Sequence, residues 1–462
     1  MKHPILIISA FLIFNANLIT AQTVNTDSAN IAWHIYSLAH DSMQGRNAGS
    51  KEEAIAANYI ATQFEMYGLK PYTPVSEDYF VPYVFGQPTF KKCTLSVNGT
   101  EYRQWKDFGA TGFSASASVN GLLVSEVQFS EKSSKSGKYI PLVDLYQLSE
   151  NENYCAKDVI TLTEKLTALG AKAIIFYNSG GYDKKQQLFS ADSIPEQKIP
   201  ILYIERNLAR KLKKLNNAEV EIATDIKRNF SKTADIAGFI DNGSDKTVVV
   251  GAHYDHVGYN ARGKEKGLCN GADDNASGTA AMLELARWAA SRSDLKFNYL
   301  FIAFSAEEQG LFGSKHWCNI PQVKNTNYYW MMNLDMVGRL NWNGKNDLTV
   351  MAYKSAREWK NILPGVKHGD FDVQFMKGAP PFSDHAPFLE NEVPVVYLTT
   401  GLPPEYHNPS DDPEIINYAG EANILQYMRN IVLEIEKTDK LTFNKITAWQ
   451  NTITGTRIFL FK

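Results

Sequence analysis

The chain has 462 residues, of which 44% are hydrophobic and 21% charged, enough for a large α/β core and at least one further folded unit. Its 47 Lys plus Arg against 50 Asp plus Glu leave a net charge of -3. That balance gives no electrostatic footprint for nucleic acid or for an acidic membrane surface, and it suits small or neutral substrates.

Residues 1–21 read as a secretory signal peptide: Lys2 and His3, an apolar run from Ile5 to Ile19, and small residues at Thr20-Ala21 before the polar Gln22. The apolar run is about 15 residues long and interrupted by Asn15 and Asn17, short of the ~20 that a spanning helix needs. The expectation is an exported protein, periplasmic or secreted, with no integral membrane segment after cleavage near Ala21.

Helices are expected over 28–40 and 51–67. In the second, Ala54, Ala57, Ile60, Ala61, Phe64 and Tyr67 recur at helical spacing, and Gly68 ends the run. Over 87–229 the character changes: short β-like pieces (94–97, 122–124, 139–143) alternate with Ser-, Gly- and Lys-rich loops, followed by a helix over 157–169 and the strand 173–177. This region reads as a mainly-β insertion. From Asp245 onward strands and helices alternate. Thr247–Gly251 and Tyr299–Phe304 are continuous apolar runs of the kind buried on both faces of a mostly parallel sheet. A helix over 277–291 lies between them; strands at 329–334, 348–352 and 395–399 and a helix over 415–436 follow. The domains are then 22–86 with 230–440, interrupted by 87–229, and a tail 441–462 that has room for one edge element. Oligomeric state is not legible in any of these features.

Cys93, Cys155, Cys269 and Cys318 are too scattered for a disulfide framework. A Cys269–Cys318 bridge and free buried thiols are both compatible with the sequence.

Chemistry concentrates where strands stop. His253, Glu307, Glu308 and Asp335 all follow predicted strands, the end of an open α/β sheet at which ligands bind. Asp255, two residues after His253, is positioned to accept the imidazole N–H and so fix which nitrogen faces a metal. Asp273-Asp274-Asn275-Ala276-Ser277-Gly278 sets acids and small residues ahead of a helix. One carboxylate would suffice for capping; two followed by small residues suggest backbone pressed close to cations, with Asp274 spanning a pair of them. Adjacent Glu307 and Glu308 repel unless a cation separates their roles. Glu308 is therefore expected to ligate, and Glu307 to take a proton from an attacking water and return it to a leaving amine. Asp335, costly to bury unpaired, has a metal or Arg339 as partner. His407 sits in the stiff Pro403-Pro404-Glu405-Tyr406-His407-Asn408-Pro409 loop, where the Tyr406 phenol is placed to donate to an oxyanion. Two dications would be neutralised by Asp274, Glu308, Asp335 and a bridging hydroxide, which permits a site held away from bulk water.

At these residues the sequence resembles the co-catalytic di-zinc aminopeptidase family, which includes bacterial leucyl-type aminopeptidases and, as relatives, glutamate carboxypeptidase and glutaminyl cyclase. The similarity runs from about residue 28 to about residue 436. It implies a three-layer αβα zinc-exopeptidase fold with a mixed, mostly parallel sheet, and two zinc ions per chain. By resemblance His253 and Asp335 bind one zinc, Glu308 and His407 the other, Asp274 bridges, Glu307 is the general base, and the peptide bond after Asp274 is cis. Residues 87–229 resemble a protease-associated domain, through Leu166 to Tyr177 and Ile199-Pro200-Ile201-Leu202-Tyr203. Ser383-Asp384-His385-Ala386-Pro387-Phe388 matches a loop bordering the substrate pocket; Asp384 either binds a substrate α-amino group or caps the helix after it.

The reading that follows is a peptide-cleaving aminopeptidase. Glutaminyl cyclase is its nearest rival, but cyclases use one zinc, usually carry Trp in the place of Tyr406, and lack the insertion. A carboxypeptidase would need cations for a free carboxylate, to which no Arg or Lys can be assigned. A non-catalytic binding module on this fold would have lost ligands that are all present here.

Overall fold

The computed structural model describes residues 26–86, 88–125, 129, 137–148, 156–180, 196–215, 217–260, 265–323 and 326–446. The predicted signal peptide, Cys155 and the tail beyond residue 446 lie outside them.

A nine-stranded sheet forms the base of the molecule. Its order is Lys70–Pro71, Ser231–Ile240, Asn298–Phe304, Thr247–His253, Tyr328–Leu334, Val395–Thr399, Asp347–Met351 and Asp372–Phe375, with Phe80–Phe85 also paired to Ser231–Ile240. The four consecutive strands from Asn298–Phe304 to Val395–Thr399 are mutually parallel, while Ser231–Ile240 and Asp347–Met351 join them antiparallel. The sheet is therefore mixed, parallel at its centre, as the apolar runs predict. Every residue of Thr247–His253 and Asn298–Phe304 is buried because helices cover both faces.

The pleat divides the core. Val248, Val250 and Ala252 pack with residues of the helices Thr26–Leu38, Lys51–Met66, Gly278–Ala290 and Tyr418–Ile435, whereas Val249 lies with Trp317, Cys318 and Phe388 beneath the helices Phe312–Asn319 and His385–Glu390. This is the three-layer αβα arrangement. Helix Gly278–Ala290 is sunk deep in its layer, and Ala280, Ala281, Ala286 and Ala289 let it approach the sheet closely. The helix Lys51–Met66 begins with a variant of the capping box: the Ser50 hydroxyl accepts from Glu53 N at 3.0 Å, and the Glu53 carboxylate accepts from Gly49 N at 2.6 Å. Gly68 ends it at φ 79, a conformation that suits glycine.

A second, eight-stranded sheet is built from residues between Thr94 and Ala223. It has its own apolar clusters, including Leu95, Leu202 and Val220 on one side and Val143, Leu166 and Phe176 on the other. Parallel pairs occur in it as well as antiparallel ones, and the helices Ala156–Ala168 and Arg206–Leu212 belong to the same stretch. The strands Pro88–Phe90 and Ile226–Arg228 pair antiparallel where the chain leaves the first sheet and where it returns. Beyond the final helix, Phe443 makes an isolated bridge to Ala356, a small edge element in the described part of the tail.

Candidate metal centre

Register brings the strand ends together. His253 pairs with Phe304 in the parallel ladder, so the loops that follow, carrying Tyr254–His256 and Ala306–Glu308, leave the sheet side by side. The adjoining strand Tyr328–Leu334 delivers Asp335 to the same edge. Asp274 reaches it from the irregular turn Ala272–Ser277, whose Asp274–Asn275 peptide bond is cis. Asn275 fixes this turn to the neighbouring strand end: its amide donates to Leu334 O at 2.9 Å, and its carbonyl oxygen accepts from Gly278 N and Met336 N, each at 3.0 Å. A side chain at Gly278 would strike the Leu334 carbonyl, which explains a small residue there.

Two groups of potential ligands share one carboxylate. His253, Asp274 and Asp335 form the first; His256, Asp274, Glu308 and His407 form the second; within each, ligating atoms lie within 4.8 Å of one another. In the first, His253 Nε2 is 3.5 Å from Asp274 Oδ1 and 3.5 Å from Asp335 Oδ1. In the second, His407 Nε2 is 3.2 Å from Asp274 Oδ2 and 3.0 Å from Glu308 Oε2. Ligand atoms at about 2.0–2.1 Å from a tetrahedral zinc are roughly 3.3 Å apart, so the nitrogen and oxygen donors fit that ion. The two oxygens of Asp274 face different groups, and Oδ2 is buried without a hydrogen-bond partner among the described residues.

The field at the site is strongly negative. Burial alone would lower both imidazoles, but Glu307, Asp335 and Asp274 raise His253 well above the ordinary range, and Asp274 and Glu308 carry His407 up to about 10. Burial opposes ionisation of Glu308 and Asp335, yet hydrogen bonds from His256 and His407, and from His253, hold both below the usual carboxylate range. Among the described residues Glu307 has no such hydrogen bond from an imidazole: burial and the charge of Glu308 push it well up, although His253 pulls the other way.

Several expectations are refined. The Asp255 carboxylate lies 3.8 Å from His253 Nδ1, which is closer, at 3.2 Å, to the Asp255 backbone carbonyl. The carboxylate instead accepts from the backbone N–H groups of Glu307 at 3.1 Å and Glu308 at 3.4 Å, so Asp255 orients the paired glutamates. Arg339 pairs with Glu405 at 3.2 Å, while Tyr397 donates to Asp335 Oδ2 at 3.3 Å. Asp384 is fully buried, its side chain makes no cap hydrogen bond, and among the described residues neither carboxylate oxygen has a hydrogen-bond partner. Burial raises it to about 7. Cys269 and Cys318 are free buried thiols. Tyr406 is part-buried and stacks on His407 with ring centroids 3.8 Å apart.

His256 and Tyr397 escape the sequence reading. His256 is fully buried, with Nδ1 2.9 Å from Glu308 Oε1 and 3.7 Å from Asp274 Oδ2. Its only sequence signal is adjacency to His253-Tyr254-Asp255.

Residues 235–432 match peptidase family M28. The aminopeptidase YwaD of Bacillus subtilis is 30% identical over 263 residues, 54% of this chain and 54% of that protein. An aminopeptidase of Pseudomonas aeruginosa is 27% identical over 183 residues, 39% of this chain and 32% of that protein. The chain thus spans about half the length of the first relative and about a third of the second. Among solved structures, the zinc aminopeptidase BSAP from Bacillus subtilis aligns over 91% of this chain and 97% of its own, with a TM-score of 0.48 and 23% identity.

Proposed function

We propose, on the premise that residues 235–432 form a domain of peptidase family M28, that this protein is a zinc-dependent aminopeptidase that hydrolyses the N-terminal bond of peptides. The observation that carries the reading is Asp274, whose oxygens face His253 on one side and His407 on the other. A shared carboxylate between two ligand groups supports a pair of zinc ions over the single zinc of a glutaminyl cyclase. The intact ligand set likewise supports an enzyme over a binding module.

In this reading His253, Asp274 and Asp335 hold one zinc ion, and Asp274, Glu308 and His407 the other. Zinc bound there would supply Lewis acidity, polarising the scissile carbonyl and acidifying an attacking water. Glu307 takes the proton from the nucleophile and passes it to the leaving amine. Its raised affinity for a proton suits both halves of that transfer, and Asp255 steadies its backbone. Tyr406 keeps its phenolic proton, because burial and the charges of Asp274 and Glu308 raise it; that supports its role as hydrogen-bond donor to the oxyanion.

We read 87–229 as a protease-associated-like insertion, and the segment 1–21 as directing export to the periplasm or medium. Among the described residues no helix is long and apolar enough to cross a membrane.

The test combines metal analysis of the purified protein with a panel of aminoacyl anilides and their N-acetylated counterparts. Two zinc ions per chain and cleavage of the free-amine substrates alone are expected. Equal cleavage of the acetylated set would exclude an aminopeptidase, and cyclisation of an N-terminal glutamine with one zinc would establish the rival.

A further inference from the structure

Arg46 is fully buried and, among the described residues, pairs with no carboxylate. Its guanidinium donates to four backbone carbonyls instead: Nε to Tyr254 O at 2.7 Å, Nη1 to Leu38 O at 2.6 Å and Asn270 O at 2.7 Å, and Nη2 to Gly271 O at 2.9 Å. Tyr254 lies between His253 and Asp255, and Asn270-Gly271 lead into the turn that carries Asp274. Arg46 therefore ties together two loops that supply ligands to both groups. Its own carbonyl accepts from His256 N at 3.3 Å, closing the connection from the other side.

The backbone around it is committed to this position. Gln44, Gly45 and Arg46 have φ of 43, 65 and 49, a run in the left-handed region that two side-chain-bearing residues hold only when their surroundings enforce it. A Cβ at Gly45 would overlap the Cys269 carbonyl oxygen and lie 2.8 Å from Gly258 Cα, so the turn is wedged between the same two loops. A fixed guanidinium whose hydrogen bonds all go to neutral groups retains its full charge for longer-range attraction. Asp255, Asp411, Asp274 and Glu308 all act on it, partly offsetting the burial that lowers it to about 10.

We propose that Arg46 is a positioning residue for zinc binding: it locks the His253–His256 loop to the loop leading to Asp274, and its uncommitted charge steadies the acidic ligand set before metal arrives. This rests on the zinc reading above, and the experiment separates the two.

Zinc affinity of metal-stripped wild type, R46K and R46Q is measured by competition with a chromophoric chelator, alongside unfolding temperature. Phe64→Leu, in the core beside Tyr79 and Leu69, serves as a destabilised control. Lysine keeps the charge but cannot fan out to four carbonyls, so R46K should bind zinc ~10–100-fold more weakly, the range for residues that orient metal ligands, and R46Q more weakly still. Phe64→Leu should lose stability and keep its zinc affinity. Zinc affinity in R46K equal to wild type, or reduced no more than in the control, overturns the proposal; a wild type that takes up no zinc overturns the zinc reading itself. Hydrogen exchange on stripped wild type provides a check that needs no variant. Slow exchange in 253–258 and 269–275 without metal is expected, and fast exchange that slows only on adding zinc overturns the proposal.

Discussion

His256 Nδ1 stands 2.9 Å from Glu308 Oε1, and this contact joins the loops that follow two neighbouring parallel strands. His407 approaches the same oxygen at 3.1 Å, so two imidazoles converge on one carboxylate. His256 either orients Glu308 or adds a nitrogen ligand beside it, and both roles act on the second ligand group alone. Replacing it with alanine should weaken zinc at the Glu308–His407 position by ~10–100-fold while leaving the His253–Asp335 position within a few-fold of wild type. Metal content after dialysis against graded chelator resolves the two positions. Unchanged affinity at both would reduce His256 to packing.

Glu307 differs from its neighbour in having no imidazole within hydrogen-bonding reach among the described residues, whereas Glu308 has two. That asymmetry separates a proton carrier from a ligand. Glu307→Gln should keep both zinc ions and lower kcat by about 10²–10⁴-fold, the contribution expected of a positioned acid–base group. Turnover near wild type would remove Glu307 from that role.

Asp274 is the residue common to both ligand groups. Asp274→Ala should reduce zinc content at both positions, whereas Asp335→Ala should affect chiefly the position it shares with His253. Metal analysis of the two variants after identical dialysis is the measurement. Retention of full zinc by the Asp274 variant at either position would rule out a bridge.

What the sequence could reveal follows from where the physics is local. Strands buried on both faces appear as apolar runs, and a His, Glu or Asp at the end of such a run falls at the sheet edge, so the gathering of His253, Glu308 and Asp335 there is readable. The helix Gly278–Ala290 was readable from its alanines and leucines. His256 was not, because its approach to Glu308 depends on the pairing of His253 with Phe304, a relationship that no spacing encodes. Arg46 was hidden for another reason: its partners are carbonyls, which every residue has. The burial of Asp384 was not legible either, because burial is a property of the fold. The short β-like pieces of the second sheet were legible, whereas its parallel pairs were not, since they join segments that are not neighbours in the chain.

Away from the metal centre, Glu284 is buried in the helix Gly278–Ala290 and gives a pH signature of its own. Burial would raise it, but hydrogen bonds from His34, Arg287 and Asn30, with the Arg287 charge, outweigh that and bring it down to about 2. Arg287 Nη2 is 2.6 Å from Glu284 Oε2, and Asn30 Nδ2 is 3.1 Å from the same oxygen. A carboxylate depressed on folding stabilises the native state fully above its unfolded pKa of about 4.3, and the contribution disappears as pH falls toward the folded value. The difference in unfolding free energy between wild type and Glu284→Gln should therefore shrink steadily, by about 3 kcal/mol, between about pH 4.5 and pH 2. Comparing the two proteins cancels the other buried carboxylates, several of which are raised and would shift stability in the opposite sense. Urea unfolding at a series of pH values measures it. A difference that stayed constant down to about pH 2.5 would mean that the ion pair contributes nothing and that Glu284 is retained for shape.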